Sequence, residues 1–147
     1  MFERYKQWIG RWLPTSDRFS LGSAGEKAAA NYLKKHGYRI LARGHRQRLG
    51  EIDIIALDGN WIVFVEVKTW ASGQGGDPSQ AVDTRKQEKL TRAALIYLKR
   101  HGLLDQPARF DVVSIIWPNA FEAVKSEPTV RHFRNAFDAV GKGQMYR

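Results

Sequence analysis

Residues 50–69 decide how this chain is read: Gly50-Glu51-Ile52-Asp53-Ile54-Ile55-Ala56-Leu57, the turn Asp58-Gly59-Asn60, then Trp61-Ile62-Val63-Phe64-Val65-Glu66-Val67-Lys68-Thr69. Both halves are rich in β-branched and aromatic residues, and Asp58-Gly59-Asn60 has the composition of a hairpin turn. Each half also carries a carboxylate where a strand is normally buried, Asp53 between isoleucines and Glu66 between valines. A buried carboxylate is costly without a cation, a metal or a set of donors. Alternation along a strand puts Glu66 and Lys68 on one face with Ile62 and Phe64. With Gly59-Asn60 as the loop, or the four residues 58–61, Asp53 falls opposite Glu66, with Cβ atoms about 4.5–5.5 Å apart. A loop of Asp58-Gly59 would put Glu51 there instead. Two carboxylates so close repel each other, but they can jointly hold a divalent cation.

The rest of the chain suits one domain. Its 147 residues can bury a core of their own, and 43% of them are hydrophobic. No apolar run approaches the roughly 18–20 residues of a membrane span, no secretory segment follows the start, and cysteine is absent. The expected location is the cytoplasm. Lys and Arg number 24 against 15 Asp and Glu, a net charge of +9, and such a field favours a polyanion, most simply nucleic acid.

Residues 1–20 form a basic, aromatic segment in which Phe2, Tyr5, Ile9 and Trp12 keep helical spacing before Pro14. It reads as a short helix packed on the domain or as an arm for nucleic acid or a membrane surface. A helix is expected from Gly22 to His36, closed by Gly37. Glu26 lies on its apolar side with Ala29, Ala30 and Leu33. Tyr38–His45 reads as a strand and residues 46–50 as its turn, with Arg43, Arg46 and Arg48 as a candidate phosphate-binding rim. The glycine-rich stretch after Thr69 can serve as a flap or a plain loop. Asp77 as N-cap and Pro78 at the first helical position start a long helix ending near His101-Gly102. Lys86 falls on the apolar stripe of that helix, where it either snorkels or points into an anionic site. Strands follow at Arg109–Trp117, where Arg109 and Asp111 share a face and can pair, and at Thr129–Phe133. The domain is bounded at 21–137, with 138–147 as a flexible tail. Helix, three strands, helix and strand in that order make an α/β fold, a mixed central β-sheet flanked by α-helices.

Glu26, Asp53, Glu66, Lys68 and Lys86 are the charged residues that patterning drives to one place. An all-oxygen donor set suits Mg²⁺ or Mn²⁺. Asp53, Glu66 and the Val67 carbonyl are the expected metal ligands, Lys68 the group that assists an attacking water, and Glu26 the holder of a water or a second ion. Phosphodiester hydrolysis fits these parts and the net charge together.

Asp53 followed by Glu66-Val67-Lys68 resembles the Asp…Glu-x-Lys motif of the PD-(D/E)xK nuclease superfamily, and Glu26 resembles the extra glutamate of its Holliday-junction-resolvase branch. Residues 22–33, Gly50-Glu51-Ile52-Asp53, Phe64–Lys68, Val82-x-x-x-Lys86-x-x-x-Leu90 and Arg109–Val113 together resemble the YraN-type family of uncharacterised bacterial proteins over about residues 21–137. The resemblance implies a restriction-endonuclease-like, Holliday-junction-resolvase-like core, and not a substrate. Together with the site residues and the charge, the expected function is a metal-dependent endodeoxyribonuclease acting on branched DNA, with a homodimer expected by fold-level analogy with the resolvases. Two departures fall on the DNA-facing rim: Thr69 follows Lys68, and Gly44 stands where relatives usually carry asparagine. Two other readings compete. One is a nucleic-acid-binding protein with this fold and no turnover; the other is a structural or partner-binding domain in which the charged residues form a core ion-pair network.

Overall fold

The computed structural model describes residues 21–47, 50–71, 82–118 and 127–140, with backbone alone at 21, 46, 47 and 71. The aromatic arm, Arg48, the glycine-rich loop, Asp77-Pro78 and the terminal residues 141–147 lie outside the described residues. Helix α1 (Leu21–Lys35) leads into strands β1 (Arg39–Gln47), β2 (Gly50–Asp58) and β3 (Trp61–Ala71). Helix α2 (Thr84–Arg100), β4 (Ala108–Trp117) and β5 (Thr129–Phe137) complete the chain. The five strands form one mixed sheet in sequence order, with β3 and β4 parallel and the other neighbours antiparallel. This is the α/β architecture the sequence implies.

The β2–β3 hairpin has the register that matters most. Asp58 pairs with Trp61, so the loop is Gly59-Asn60, and pairing continues to Ile54–Val65. Gly59 has φ +58°, the left-handed conformation such a loop demands. The ladder stops one step before Asp53 would face Glu66. There the Asp53 carboxylate takes the place of a backbone partner, its Oδ2 accepting the Val67 N–H at 2.8 Å.

Each face of the sheet buries a separate core. Under α1, Ala29, Ala30 and Leu33 meet Ile54, Ala56, Val63, Val65, Val113 and Ile115. Under α2, Leu90, Ala93, Ala94 and Tyr97 meet Ile55, Ile62, Phe64, Phe110 and Val112. Residues 62, 64 and 66 of β3 therefore face α2, and 63, 65 and 67 face α1. Ile52 and Ile55 both belong to the α2 core although they lie three apart, so strict alternation along β2 slips once, at Asp53.

Three boundaries differ from those expected. The long helix begins at Thr84, and its N-cap is Asp83, whose Oδ1 accepts the Lys86 N–H at 2.8 Å. The Asp77-Pro78 pair is the stronger local signal, but Asp83 supplies the acceptor that the first helical N–H groups lack. The last strand runs to Phe137, four residues beyond Phe133, because it carries a bulge opposite Asp111. Phe110 pairs with Phe137 while Val112 pairs with Phe133, and Asn135 takes φ +49° there. Contacts also continue past the expected domain end: Ala139 packs on the α2 core, and the Val140 N–H donates to Thr91 Oγ1 at 3.0 Å.

Candidate metal centre

The site forms where β2 and β3 part. Glu66 is 5% exposed, and two ammonium groups approach the same oxygen. Lys68 Nζ lies 3.6 Å and Lys86 Nζ 3.5 Å from Glu66 Oε1. The other oxygen, Oε2, is buried with no hydrogen-bond partner among the described residues. A buried acceptor left unmet is costly, so its presence needs a reason. Lys86 does not simply snorkel to solvent: from the first turn of α2 it reaches into the anionic site.

Asp53 is strongly perturbed. Burial, the neighbouring Glu66, and the fields of Glu26 and Glu51 raise its pKa to about 7, against the lowering effect of the Val67 N–H. At neutral pH the pair is therefore short of positive charge. Glu26 is raised as well, by burial first and by Glu51, while Arg43 opposes the shift. Its Oε1 lies 3.8 Å from Arg43 Nε.

Local backbone features place Glu26. A side chain at Gly25 would overlap Thr69, so glycine lets α1 approach β3 at the residue after Lys68. Gly44 has φ +58°, and a Cβ there would come within 3.9 Å of Glu26 Oε1. Asparagine tolerates this left-handed conformation better than other residues with a Cβ. The Gly44 departure thus keeps the backbone that an asparagine would adopt.

The expected residues divide as follows. Asp53, Glu66, Lys68 and Lys86 come together through contacts or mutual fields, with Glu26 and Arg43 alongside. Val67 contributes its N–H to Asp53; its carbonyl as a ligand remains an expectation. Arg43 is half-buried, with its Nε 3.8 Å from Glu26 Oε1. The Arg46 side chain and Arg48 fall outside the described residues. His45 is a core residue: burial lowers its pKa to about 4, and its ring lies edge-on to Tyr97 at 5.3 Å.

Asp53 and the unmet Glu66 oxygen fit a hard cation. No group of three or more His, Cys, Asp or Glu side chains is arranged to hold a metal among the described residues. A cation here would therefore lean on two carboxylates and fill its shell with water, backbone or substrate oxygens, as Mg²⁺ commonly does.

A second polar cluster lies on the α1 face, away from this site. Arg109 donates to Asp111 Oδ1 from Nε at 3.0 Å, and from Nη2 to Tyr38 Oη and Asp58 Oδ2 at 2.9 Å each. His132 Nε2 lies 2.7 Å from Asp111 Oδ2, and the Asn135 N–H donates to Oδ1 at 2.9 Å. Burial would raise Asp111, but these donors outweigh it and hold the carboxyl below its ordinary value. Sequence spacing foretold only the Arg109–Asp111 pair. Tyr38, Asp58, His132 and Asn135 come from three other segments, and no local pattern joins them. The cluster fastens β5 and the β2–β3 turn to β4.

A mixed five-stranded sheet with helices on both faces, and two carboxylates where β2 and β3 part, defines the α/β class with a restriction-endonuclease-like core. Residues 25–115 match the profile of the uncharacterised protein family UPF0102. Similar proteins occur in Rhodopirellula baltica, 43% identical over 149 residues spanning 98% of this chain and 87% of that protein. A Geobacter metallireducens protein is 49% identical over 119 residues, 81% of this chain and 93% of its own length. One from Symbiobacterium thermophilum is 53% identical over 95 residues, 65% of this chain and 80% of its own. All three carry the UPF0102 name. The chain belongs to the UPF0102 family, which is the YraN-type family. No helix among the described residues is long and apolar enough to cross a membrane.

Proposed function

We propose that this protein is a Mg²⁺- or Mn²⁺-dependent endodeoxyribonuclease that hydrolyses phosphodiester bonds in branched DNA, in the cytoplasm. The observation that carries the proposal is Glu66: it is buried, holds two lysines on one oxygen, and leaves the other oxygen unmet beside a carboxyl that it perturbs. A structural ion-pair network is stabilised by satisfying both oxygens, and the two lysines leave Oε2 unaccounted for. Asp53 and Glu66 would hold the cation, with the Val67 carbonyl as a further ligand. Bound there, it supplies an acidified water and neutralises charge on the phosphate. Lys68 orients the water and meets negative charge developing on the phosphoryl oxygens. Lys86 acts as a second point charge for phosphate. Glu26, held by Arg43, accepts a hydrogen bond from water at the edge of the site. The +9 net charge draws the DNA in.

The test incubates four-way-junction, flap and linear duplex DNA with the protein and Mg²⁺, Mn²⁺ or EDTA. Cleavage should require the divalent cation, favour the branched substrates, and fall at least ~10²-fold in Glu66→Ala, with circular dichroism confirming that the variant folds. Equal cleavage by Glu66→Ala and wild type would overturn the reading. Salt-dependent binding with no cleavage would favour the binding protein without turnover.

A further inference from the structure

The half of the α2 face that lies beyond the carboxylates belongs to neither core. The apolar core under α2 takes Ile62 and Phe64 from β3, and Phe110 and Val112 from β4. The next positions on the same face are Lys68 and Trp70 of β3, and Ser114 and Ile116 of β4. Trp70 and Ile116 are packed in neither core cluster. Every other residue of β4 is buried; Ile116 alone is partly exposed.

Register brings β5 into the same patch. Lys68 pairs with Ser114, and Ser114 pairs with Arg131, so these three form one row across three strands. Trp70, Ile116 and Thr129 form the next row, and Glu66, Val112 and Phe133 the row before. Arg131 is exposed, and its guanidinium lies 5.2 Å from the centre of the Phe133 ring, which steadies its stem. Lys68 and Arg131 stand two strand spacings apart, about 10 Å at the backbone, and long side chains can narrow that gap.

Two polar groups in the patch have unspent hydrogen-bonding capacity. Ser114 is 0% exposed, and its hydroxyl has no partner among the described residues. It interrupts an otherwise apolar run of valines and isoleucines in which alanine would carry no such penalty. The buried Trp70 Nε1–H also has no acceptor among the described residues. Cations in a row, an indole beside them and unmet donors beneath them suit a chain of phosphates carrying flat bases. An aromatic ring stacks most readily on the open face of an unpaired base, so the patch favours a single strand over a duplex.

We infer that this half-face, presented by Lys68, Trp70, Ile116 and Arg131 around the buried Ser114, is a track for an unpaired polynucleotide strand next to the candidate metal centre. Arg131 and Lys68 meet successive phosphates, and Trp70 stacks on a base. The inference rests on the nuclease reading for its direction, since the strand leaves the carboxylates along this track. Its affinity, however, needs neither metal nor turnover.

Binding is therefore measured in EDTA, by fluorescence anisotropy with labelled oligodeoxythymidylate and with a labelled duplex, over a range of salt. The variants are Arg131→Ala, Arg131→Lys, Trp70→Ala and Trp70→Phe. Arg92→Ala, an exposed charge loss on α2, is the control. Arg131→Ala and Trp70→Ala should each weaken single-strand binding about tenfold. Arg131→Ala should also lower the salt slope by about one phosphate. The lysine and phenylalanine variants should stay within a few-fold of wild type, as should Arg92→Ala. Duplex binding should respond less to Trp70→Ala. If neither alanine variant weakens binding more than Arg92→Ala does, or if the wild type binds no strand at all, the track is overturned. A wild type that binds through Arg131 and Trp70 yet cleaves nothing would sink the nuclease reading and keep the track. Cleavage with binding indifferent to both residues would do the reverse.

Discussion

Asp111→Ala is expected to destabilise the fold by about 3–5 kcal/mol, enough to unfold much of a protein of ordinary stability. The carboxylate is fully buried and accepts hydrogen bonds from Arg109, His132 and the Asn135 N–H. Removing it leaves the Arg109 guanidinium buried and only partly compensated by Asp58 and Tyr38. It also takes away the acceptor that fills the bulge in β5, where Asn135 has φ +49°. Because the folded protein holds Asp111 below its ordinary pKa, its ionisation stabilises the fold at pH values above the unfolded carboxyl's own pKa. That contribution is lost as pH falls through the depressed folded value. Urea titration at pH 7 and at descending acid pH checks both points. A loss under about 1 kcal/mol at pH 7 would show that the cluster does not hold β5.

The second expectation runs the other way. Without divalent cations, Asp53→Asn should stabilise the protein at pH 8 by roughly 2–4 kcal/mol, raising Tm by about 5–10 °C. Burial and Glu66 raise the Asp53 pKa from 3.8 to about 7, so the folded state prefers the neutral carboxyl. That preference adds stability at pH values below the unfolded pKa, and the stability disappears as pH rises through 7. Asparagine is neutral at every pH and keeps an oxygen for the Val67 N–H. The two melting curves should therefore converge towards pH 4, move apart progressively between pH 4 and 7, and keep their full separation above pH 7. A cation at a hundred times its Kd would restore about 2.7 kcal/mol to the wild type and little to the variant. Thermal melts across pH 5–8, with EDTA or Mg²⁺, give the answer. A variant less stable than wild type at pH 8 in EDTA would mean that Asp53 is a well-satisfied structural carboxylate.

Much of this was readable from residues 50–69. The Gly59-Asn60 turn, the alternation in β3 and the placing of Lys86 between Val82 and Leu90 gave the hairpin register and the approach of Lys86 to Glu66. What eluded the sequence was long-range geometry. The slip at Asp53 turns its carboxylate to the Val67 N–H, and alternation alone would have placed it in the ladder opposite Glu66. The bulge in β5 depends on Asp111, eighteen residues before that strand begins, and Arg134-Asn135 looks locally like a turn. The start of α2 differs from the one Asp77-Pro78 suggests, because Asp83 makes the cap while Asp-Pro is the louder local signal. The approach of Arg43 to Glu26 depends on where α1 lies over the sheet, which no local pattern encodes.

The central claim is that Asp53 and Glu66 together hold one divalent cation. Isothermal titration of the metal-free protein with Mn²⁺ at pH 7, in buffers of different ionisation enthalpy, tests it most directly. The wild type should bind one ion and release a proton, because the Asp53 pKa of about 7 leaves part of the population protonated. Asp53→Asn should abolish the proton release, and Glu66→Gln should weaken binding at least ~10-fold. Binding of unchanged affinity and stoichiometry in the Asp53→Asn/Glu66→Gln double variant would contradict the account, as would no binding by the folded wild type.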